Sequence, residues 1–223
     1  QIPEPVRHEA KRSLLNYLAV GFAGSRDPTL NILVDTLMPF SAGSTCSLIG
    51  RHEQTDMLQA CAINAMSANI FDFDDTHPAT IIHPTAPVSP ALFALAETRR
   101  IAGRDLLRAF IVGAEIECRI GNAMSPYHYT RGWHITSTCG VFGAALGAGA
   151  LLGLSDEQLC WAIGNASAQA SGLVETLGTM SKSISVGNAA RNGLMSALLA
   201  AEGFLRRNHT GTVSRRTADR RSP

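Results

Sequence analysis

Apolar residues recur at helical spacing along almost the whole chain. In the first such segment they are four residues apart and would share one helix face: Val6, Ala10, Leu14, Leu18 and Phe22. The best strand candidate is the short segment STCSLIG at residues 44–50. Because strands do not alternate with helices, the sequence predicts an all-α, multi-helix fold.

Capping residues and short Gly, Pro or Ser breaks divide the chain into successive helices. Asp27 followed by Pro28 predicts a helix start, and Ser155 with Gln158 three residues later forms a capping box. Helices are predicted over residues 28–38, 56–71, 87–101, 104–124, 134–152, 155–171 and 186–204. Residues 1–204 are therefore predicted to form one helical domain.

The composition changes abruptly after residue 204. Residues 205–223 are rich in arginine and show no apolar periodicity, so we expect a disordered tail. This break suggests a truncation or a shifted reading frame. The body without the tail carries a slight negative charge, which argues against nucleic-acid binding.

The overall composition, 45% apolar and 17% charged, is typical of a soluble globular protein. Its five cysteines include no C-x-x-C pair, and this favours buried, free thiols in a reducing compartment and a cytoplasmic location. The first residues contain no apolar signal-peptide core. The uncharged run from Cys139 to Leu154 is shorter than a bilayer span, so we expect a buried helix and no membrane association.

The segment SANIFDFDDTHPATIIHPTAPVSP, residues 67–90, concentrates acids and histidines between two apolar runs. Its core IFDFDDTH matches the D-x-D-x-T loop of haloacid-dehalogenase-type phosphatases, but no acidic pair follows and the preceding run is helical in pattern. A metal site is a second hypothesis, because carboxylates and imidazoles at short spacing suit Zn²⁺ or Mn²⁺. The candidate ligands are Asp72, Asp74, Asp75, His77 and His83.

A third hypothesis continues the helix that begins near Asp56 through the acidic motif. Asp72, Asp75 and Thr76 would then share one face, and Asp74 would point elsewhere. Three acids at a helix C-terminus oppose the helix dipole. Such a locally unfavourable arrangement is typical of a functional site.

Two residues further along favour a site for anions. His134, in YTRGWHITSTCG, stands at the start of a predicted helix, where the dipole lowers the imidazole pKa and free N–H groups attract anions. Lys182 lies in a Gly/Ser/Thr-rich turn before the last helix, and its charge suits a carboxylate or phosphate, although the spacing does not fit a P-loop. A packed histidine and a solvent-exposed lysine are the structural alternatives.

Taken in order, FDFDDTH…HPTAPVSPALFALAE, GRDLLRAFIVGAEIECRI, YHYTRGWHITSTCGVFGAA and GTMSKSISVGNAARNG resemble the N-terminal helical domain of the MmgE/PrpD family, over residues 3–204. That family includes 2-methylcitrate dehydratases, cis-aconitate decarboxylases and iminodisuccinate epimerases. The resemblance implies a homodimeric enzyme without cofactor or metal. Such an enzyme moves protons next to carboxylates of small di- or tricarboxylic acids.

The resemblance also implies roles for five residues. His134, Lys182 and Asp72 would be catalytic, and Thr76 and His83 would bind substrate. In this scheme His134 is the general acid/base, Lys182 and His83 hold the substrate carboxylates, and Asp72 and Thr76 orient these groups.

The sequence departs from the family pattern in three places. The spacing between the acidic motif and His83 is one residue longer than usual, and Ser185 stands where many members carry histidine. Family members are also longer, with a second α+β domain that closes over the pocket, and residues 1–223 contain no counterpart. We therefore expect low activity from this chain. The alternative hypothesis is a non-catalytic helical fragment that dimerises or binds a partner.

Overall fold

The computed structural model describes residues 2–204, so the predicted tail at residues 205–223 lies outside the described residues. The described chain contains nine α-helices and one antiparallel sheet of two short strands, β1 (Cys46–Ser47) and β2 (Gln54–Thr55). The helices are α1 (Glu4–Gly24), α2 (Pro28–Leu37), α3 (Met57–Asn69), α4 (Thr85–Thr98), α5 (Gly103–Met124), α6 (Tyr127–Thr130), α7 (Ile135–Leu152), α8 (Asp156–Ser167) and α9 (Lys182–Ala201). The all-α prediction is confirmed.

Three helices begin at side-chain caps, each at or beside a helix start predicted from the sequence. The Asp27 carboxylate accepts the backbone N–H of Thr29, and Asp56 caps α3 in the same way. Ser155 and Gln158 form the reciprocal bonds of a capping box at the start of α8. These side chains satisfy N–H groups that have no partner within the helix, which fixes the three start points.

The α7 helix forms the centre of the fold and packs against α4, α5, α8 and α9. Its small residues let the neighbouring backbones approach closely. A Cβ atom on Gly113 of α5 would lie 2.7 Å from the carbonyl oxygen of Gly143, and one on Gly193 of α9 would lie 2.6 Å from that of Val141. A larger residue at either crossing would push the helices apart.

Within residues 2–204, α7 is the one helix that is long and apolar enough to cross a membrane. However, 78% of it is buried inside the fold. Its apolar surface is covered by the neighbouring helices, as expected for the core helix of a globular protein. The structure therefore supports the interpretation of this run as a buried helix.

All five cysteines are free thiols in the described structure. Cys46, Cys61 and Cys139 are buried, Cys118 is partly buried, and Cys160 is exposed. The prediction of free thiols is confirmed, whereas the prediction that they are buried fails for Cys160. This residue lies on the outer face of α8, where helical periodicity alone did not reveal exposure.

The helices α7 and α9 run parallel to each other, because the helix that connects them, α8, runs in the opposite direction. Near the start of both helices, Ser185 lies 3.0 Å from His134, and further along Gly193 packs on Val141. The connecting α8 runs in the opposite direction, with its Gln158 side chain near the end of α9. Parallel packing therefore places the N-termini of α7 and α9 side by side.

The N-terminus of α4 lies at the same end of the fold. His83, two residues before α4, donates its backbone N–H to the hydroxyl of Thr136 in the first turn of α7, over 3.2 Å. Three helix N-termini thus meet around one point. Each carries a partial positive charge from the aligned peptide dipoles, so the fold itself favours negative charge there.

Candidate active site

The acidic motif lies in a loop, residues 70–84, that connects α3 to α4. The α3 helix ends at Asn69, so the prediction that Asp72, Asp75 and Thr76 share a helix face is wrong. Asp72 has a positive φ of 56°, a conformation that aspartate tolerates better than most residues. Because the chain turns here, the carboxylates do not follow one another along the C-terminal end of α3, where the helix dipole is negative.

This geometry also rules out the phosphatase hypothesis. That hypothesis requires a β-strand immediately before the D-x-D-x-T motif, and the structure has α3 there. Within residues 2–204 the strands are limited to β1 and β2, which precede α3.

The adjacent acids Asp74 and Asp75 have different partners. Asp74 is buried, accepts a hydrogen bond of 2.9 Å from the Asn69 side chain, and lies 3.2 Å from Nδ1 of His83. Asp75 accepts both the backbone N–H and the hydroxyl of Thr85, the first residue of α4. Asp74 was expected to point away from Asp72, Asp75 and Thr76, but it contacts His83. Asp75 instead caps α4.

His83 lies between two carboxylates and beside a hydroxyl. Its Nδ1 contacts Asp74 and lies 3.3 Å from the hydroxyl of Thr76, while its Nε2 is 3.8 Å from Asp72. Burial alone would lower the pKa of this imidazole, but the hydrogen bond and charge of Asp74 outweigh burial and raise the pKa above its ordinary value. His83 therefore keeps its proton to a higher pH than an ordinary histidine.

Lys182 is the first residue of α9 rather than part of the preceding turn, so its predicted location is wrong. Only 8% of the residue is exposed, and its ammonium group forms an ion pair with Asp72, whose side chain is 56% exposed. The structural alternative of a solvent-exposed lysine is thus wrong as well. A buried cation at a helix start suits an anionic ligand.

His134 occupies the N-cap position of α7, as the sequence predicts, and is 4% exposed. Its Nδ1 lies 3.0 Å from the hydroxyl of Ser185 on α9. Burial, followed by the positive charges of Lys182 and His83, lowers the pKa of His134 to about 4. The imidazole is therefore neutral at pH 7.

All five residues that the sequence predicts for the site lie in one neighbourhood, and their roles in binding and catalysis stay predictions. The structure adds two residues to which the sequence gave no part in substrate binding or catalysis, Asp74 and Ser185, through their contacts with the two histidines. The predicted residues in this cluster are Asp72, Thr76, His83, His134 and Lys182.

Three of the five candidate metal ligands offer ligand atoms within 4.8 Å of one another: Asp72, Asp74 and His83. The other two do not join them, since Asp75 caps α4 and His77 bonds to Thr80. The Lys182 ammonium already contacts Asp72 and would repel a metal cation. The cluster is therefore better suited to an anion than to a metal ion.

Large, exposed apolar side chains are close in sequence to the residues of the cluster. Phe71 and Phe73 flank Asp72, Trp133 precedes His134, and Met180 and Ile184 flank Lys182.

A sequence model of the MmgE/PrpD N-terminal domain matches residues 1–209 of the 223 residues. The chain belongs to the MmgE/PrpD family. This confirms the resemblance predicted from the ordered motifs, and the all-α fold of the described residues agrees with it.

Curated relatives within the MmgE/PrpD family share about a third of the sequence. A cis-aconitate decarboxylase of Aspergillus terreus is 34% identical over 210 residues, which is 91% of this chain and 43% of the relative. The cis-aconitate decarboxylases of Homo sapiens and Mus musculus are 32% and 30% identical over the same length. The chain spans less than half the length of these relatives.

Proposed function

We propose that the cluster binds a small di- or tricarboxylic acid and moves a proton at the carbon next to one of its carboxylates, without a cofactor. The observation that carries this proposal is the buried, neutral imidazole of His134 beside the buried ammonium of Lys182, where three helix N-termini meet. The cis-aconitate decarboxylases among the relatives favour lyase chemistry.

Substrate binding depends on the positive charges of Lys182 and His83. A substrate carboxylate can accept hydrogen bonds from Lys182 beside Asp72 or in its place, because the side chain of Asp72 is largely exposed and is easily rehydrated. A second carboxylate fits next to His83, whose raised pKa favours the imidazolium. The helix N-termini add further attraction for both groups.

Proton transfer is assigned to His134. Its pKa is low partly because the charge of Lys182 repels an imidazolium. A bound carboxylate offsets that charge, so substrate binding raises the pKa of His134 toward the range in which a general acid/base is effective. Binding and proton uptake are thereby coupled.

Decarboxylation is the lyase reaction that the relatives' names favour. The bond between a substrate carbon and one carboxylate breaks, CO₂ leaves, and the electron pair remains on the carbon. The imidazolium of His134 donates its proton to that carbon and becomes neutral again. Lys182 and His83 meanwhile hold the remaining carboxylates and stabilise the developing negative charge.

The open side of the cluster limits this chemistry in the described chain. Water that reaches Asp72 and Thr76 weakens the electrostatic effect of nearby charges. We therefore propose that full activity requires a cover over this open side of the cluster. The chain alone is expected to bind substrate better than it converts it.

Calorimetric titration of the whole chain tests binding. The panel consists of cis-aconitate, citrate, 2-methylcitrate and a simple phosphate ester, with Lys182→Ala as the test variant. Lys11→Ala, which removes an exposed lysine from α1, is the matched control. We expect tricarboxylate binding that Lys182→Ala abolishes and Lys11→Ala preserves. No binding to a folded chain would contradict the proposal.

Release of CO₂ from cis-aconitate tests catalysis. We expect His134→Ala to abolish any measured turnover, because a general acid/base contributes a factor on the order of 10² to 10⁴. Tricarboxylate binding without turnover would instead support the non-catalytic binding module. Turnover that survives His134→Ala would exclude this assignment of the acid/base.

A further inference from the structure

The hydroxyl of Ser185 lies between the ring of His134 and the backbone of its own helix. Its Oγ is 3.0 Å from Nδ1 of His134 and 2.8 Å from the carbonyl oxygen of Lys182, three residues earlier in α9. Serine in a helix commonly donates its hydrogen to such a carbonyl. A carbonyl oxygen can only accept a hydrogen bond, so the hydroxyl hydrogen of Ser185 points toward the backbone carbonyl oxygen of Lys182.

This arrangement determines which nitrogen of His134 carries the hydrogen. A hydroxyl has one hydrogen, and here the carbonyl of Lys182 takes it, so Ser185 presents a lone pair to Nδ1. A favourable contact at 3.0 Å then needs a hydrogen on Nδ1. In a neutral imidazole this leaves Nε2 without a hydrogen and with a free lone pair.

We propose that Ser185 is a positioning residue that holds neutral His134 as the Nδ1–H tautomer and leaves Nε2 free to exchange the proton with the substrate. The proposal deepens the function proposed above and rests on it for the role of Nε2. Many members of the family carry histidine at the position of Ser185. The proposed contact between this serine and His134 therefore depends on a residue in which this chain differs from those members.

The backbone of His134 is held independently of its ring. Its N–H donates to the carbonyl oxygen of Gly172 over 3.1 Å. Gly172 has a φ of 128°, and a Cβ there would lie 1.9 Å from the Ser137 hydroxyl and 3.3 Å from Cβ of Ser185. The absence of a side chain at position 172 thus leaves room for Ser185. Backbone and ring contacts together fix the orientation of the imidazole.

The opposite tautomer is disfavoured by the same contacts. With the hydrogen on Nε2, the lone pairs of Nδ1 and of the Ser185 oxygen would face each other. The hydroxyl would have to turn away from the Lys182 carbonyl to restore a bond, and that carbonyl would lose a donor. Within residues 2–204, Ser185 is the hydrogen-bond partner of the His134 ring.

Long-range ¹H–¹⁵N spectra of the whole chain labelled with ¹⁵N-histidine test the proposal at pH 7.5. The His134 signals are those that disappear in His134→Gln. We expect a protonated Nδ1 and an unprotonated Nε2 in the wild type. Ser185→Ala should shift the population toward the Nε2–H tautomer, and Ser185→Thr, which keeps a hydroxyl, should retain the wild-type pattern.

An Nε2–H signature in the wild type, or an unchanged Nδ1–H signature in folded Ser185→Ala, would overturn the proposal. If Ser185→Ala does not fold, the wild type and Ser185→Thr decide, since both must show Nδ1–H. In an active sample, Ser185→Ala should lower kcat about tenfold or more with little change in KM, because the wrong tautomer misplaces the base.

The spectra need no substrate and separate this inference from the proposed function. A serine-dependent Nδ1–H tautomer in a chain that binds no tricarboxylate would refute the proposed function and leave the positioning role intact. Tricarboxylate binding together with an Nε2–H tautomer would refute the positioning role alone.

Discussion

Nδ1 of His83 lies 3.2 Å from a carboxylate oxygen of Asp74, and the side chain of Asp74 is 1% exposed. The pair joins the loop after α3 to the start of α4. A second bond, from Asn69 to the other oxygen of Asp74, fixes the carboxylate in place. The charge of His83 therefore depends on an acid that the substrate need not touch.

Asp74→Asn should lower the pKa of His83, because burial then acts without the opposing carboxylate. Asp72→Asn should lower it less, since Asp72 is exposed and lies 3.8 Å from the ring. NMR titration of His83 in the two variants measures the difference. The pair stabilises the fold below the ordinary histidine pKa of about 6.5 and loses this effect as pH rises through the raised value. Equal shifts of the His83 pKa in both variants would contradict the conclusion that Asp74 is the main cause of the raised pKa.

His134 should make the fold less stable in acid. Its pKa is about 4 in the folded chain, so the unfolded chain takes up a proton first as pH falls below about 6.5. The contribution of neutral His134 to the free energy of unfolding is complete above that pH and falls by about 3 kcal/mol toward pH 4. Urea unfolding at several pH values gives the free energy of unfolding as a function of pH. This free energy should fall less steeply with decreasing pH in His134→Gln than in the wild type. His52→Gln, at an exposed position, is the matched control.

The helices were predictable because their signals are local. Asp27, Asp56 and Ser155 each cap the helix that follows, and their side chains reach only two or three residues along the chain. The start of α9 was predicted too late because Lys182 follows no side-chain cap. Its helical conformation depends on packing against α7 and α3.

The internal geometry of the acidic loop was not predictable in the same way. Asp74 and Asp75 are neighbours in sequence, yet their directions depend on His83 and Thr85, ten residues or fewer away across a loop. Helical spacing cannot describe such contacts, because α3 stops at Asn69. The residue types were sufficient to predict which side chains lie together, but not the contacts of each acid.

Asp75→Ala should destabilise the fold by about 1 kcal/mol, the usual effect of losing a helix cap. The reason is that Asp75 accepts both hydrogen bonds offered by Thr85 at the start of α4. Asp35→Ala, at an exposed position of α2, should have little effect and serves as the control. Chemical denaturation at pH 7 measures both. A stability loss no larger than that of the control would exclude capping by Asp75.

Glu117→Gln should stabilise the chain, and more so at high pH. Glu117 of α5 is completely buried against Gly140 and Gly143 of α7, and neither carboxyl oxygen has a hydrogen-bond partner within residues 2–204. Burial, and to a smaller extent the charge of Asp75, raise the pKa of Glu117 well above its ordinary value. The carboxyl group therefore destabilises the fold most when it ionises.

Since the pKa of Glu117 is raised in the folded chain, stability falls as pH increases from about 4.5 through the raised value. Glutamine has a similar shape and does not ionise, so the gain from Glu117→Gln should be at least about 1 kcal/mol larger at pH 8 than at pH 5. Glu115→Gln, on the exposed face of the same helix, controls for the loss of one acid. Urea unfolding at the two pH values gives the comparison. An equal gain at both would mean that Glu117 does not resist ionisation in the fold.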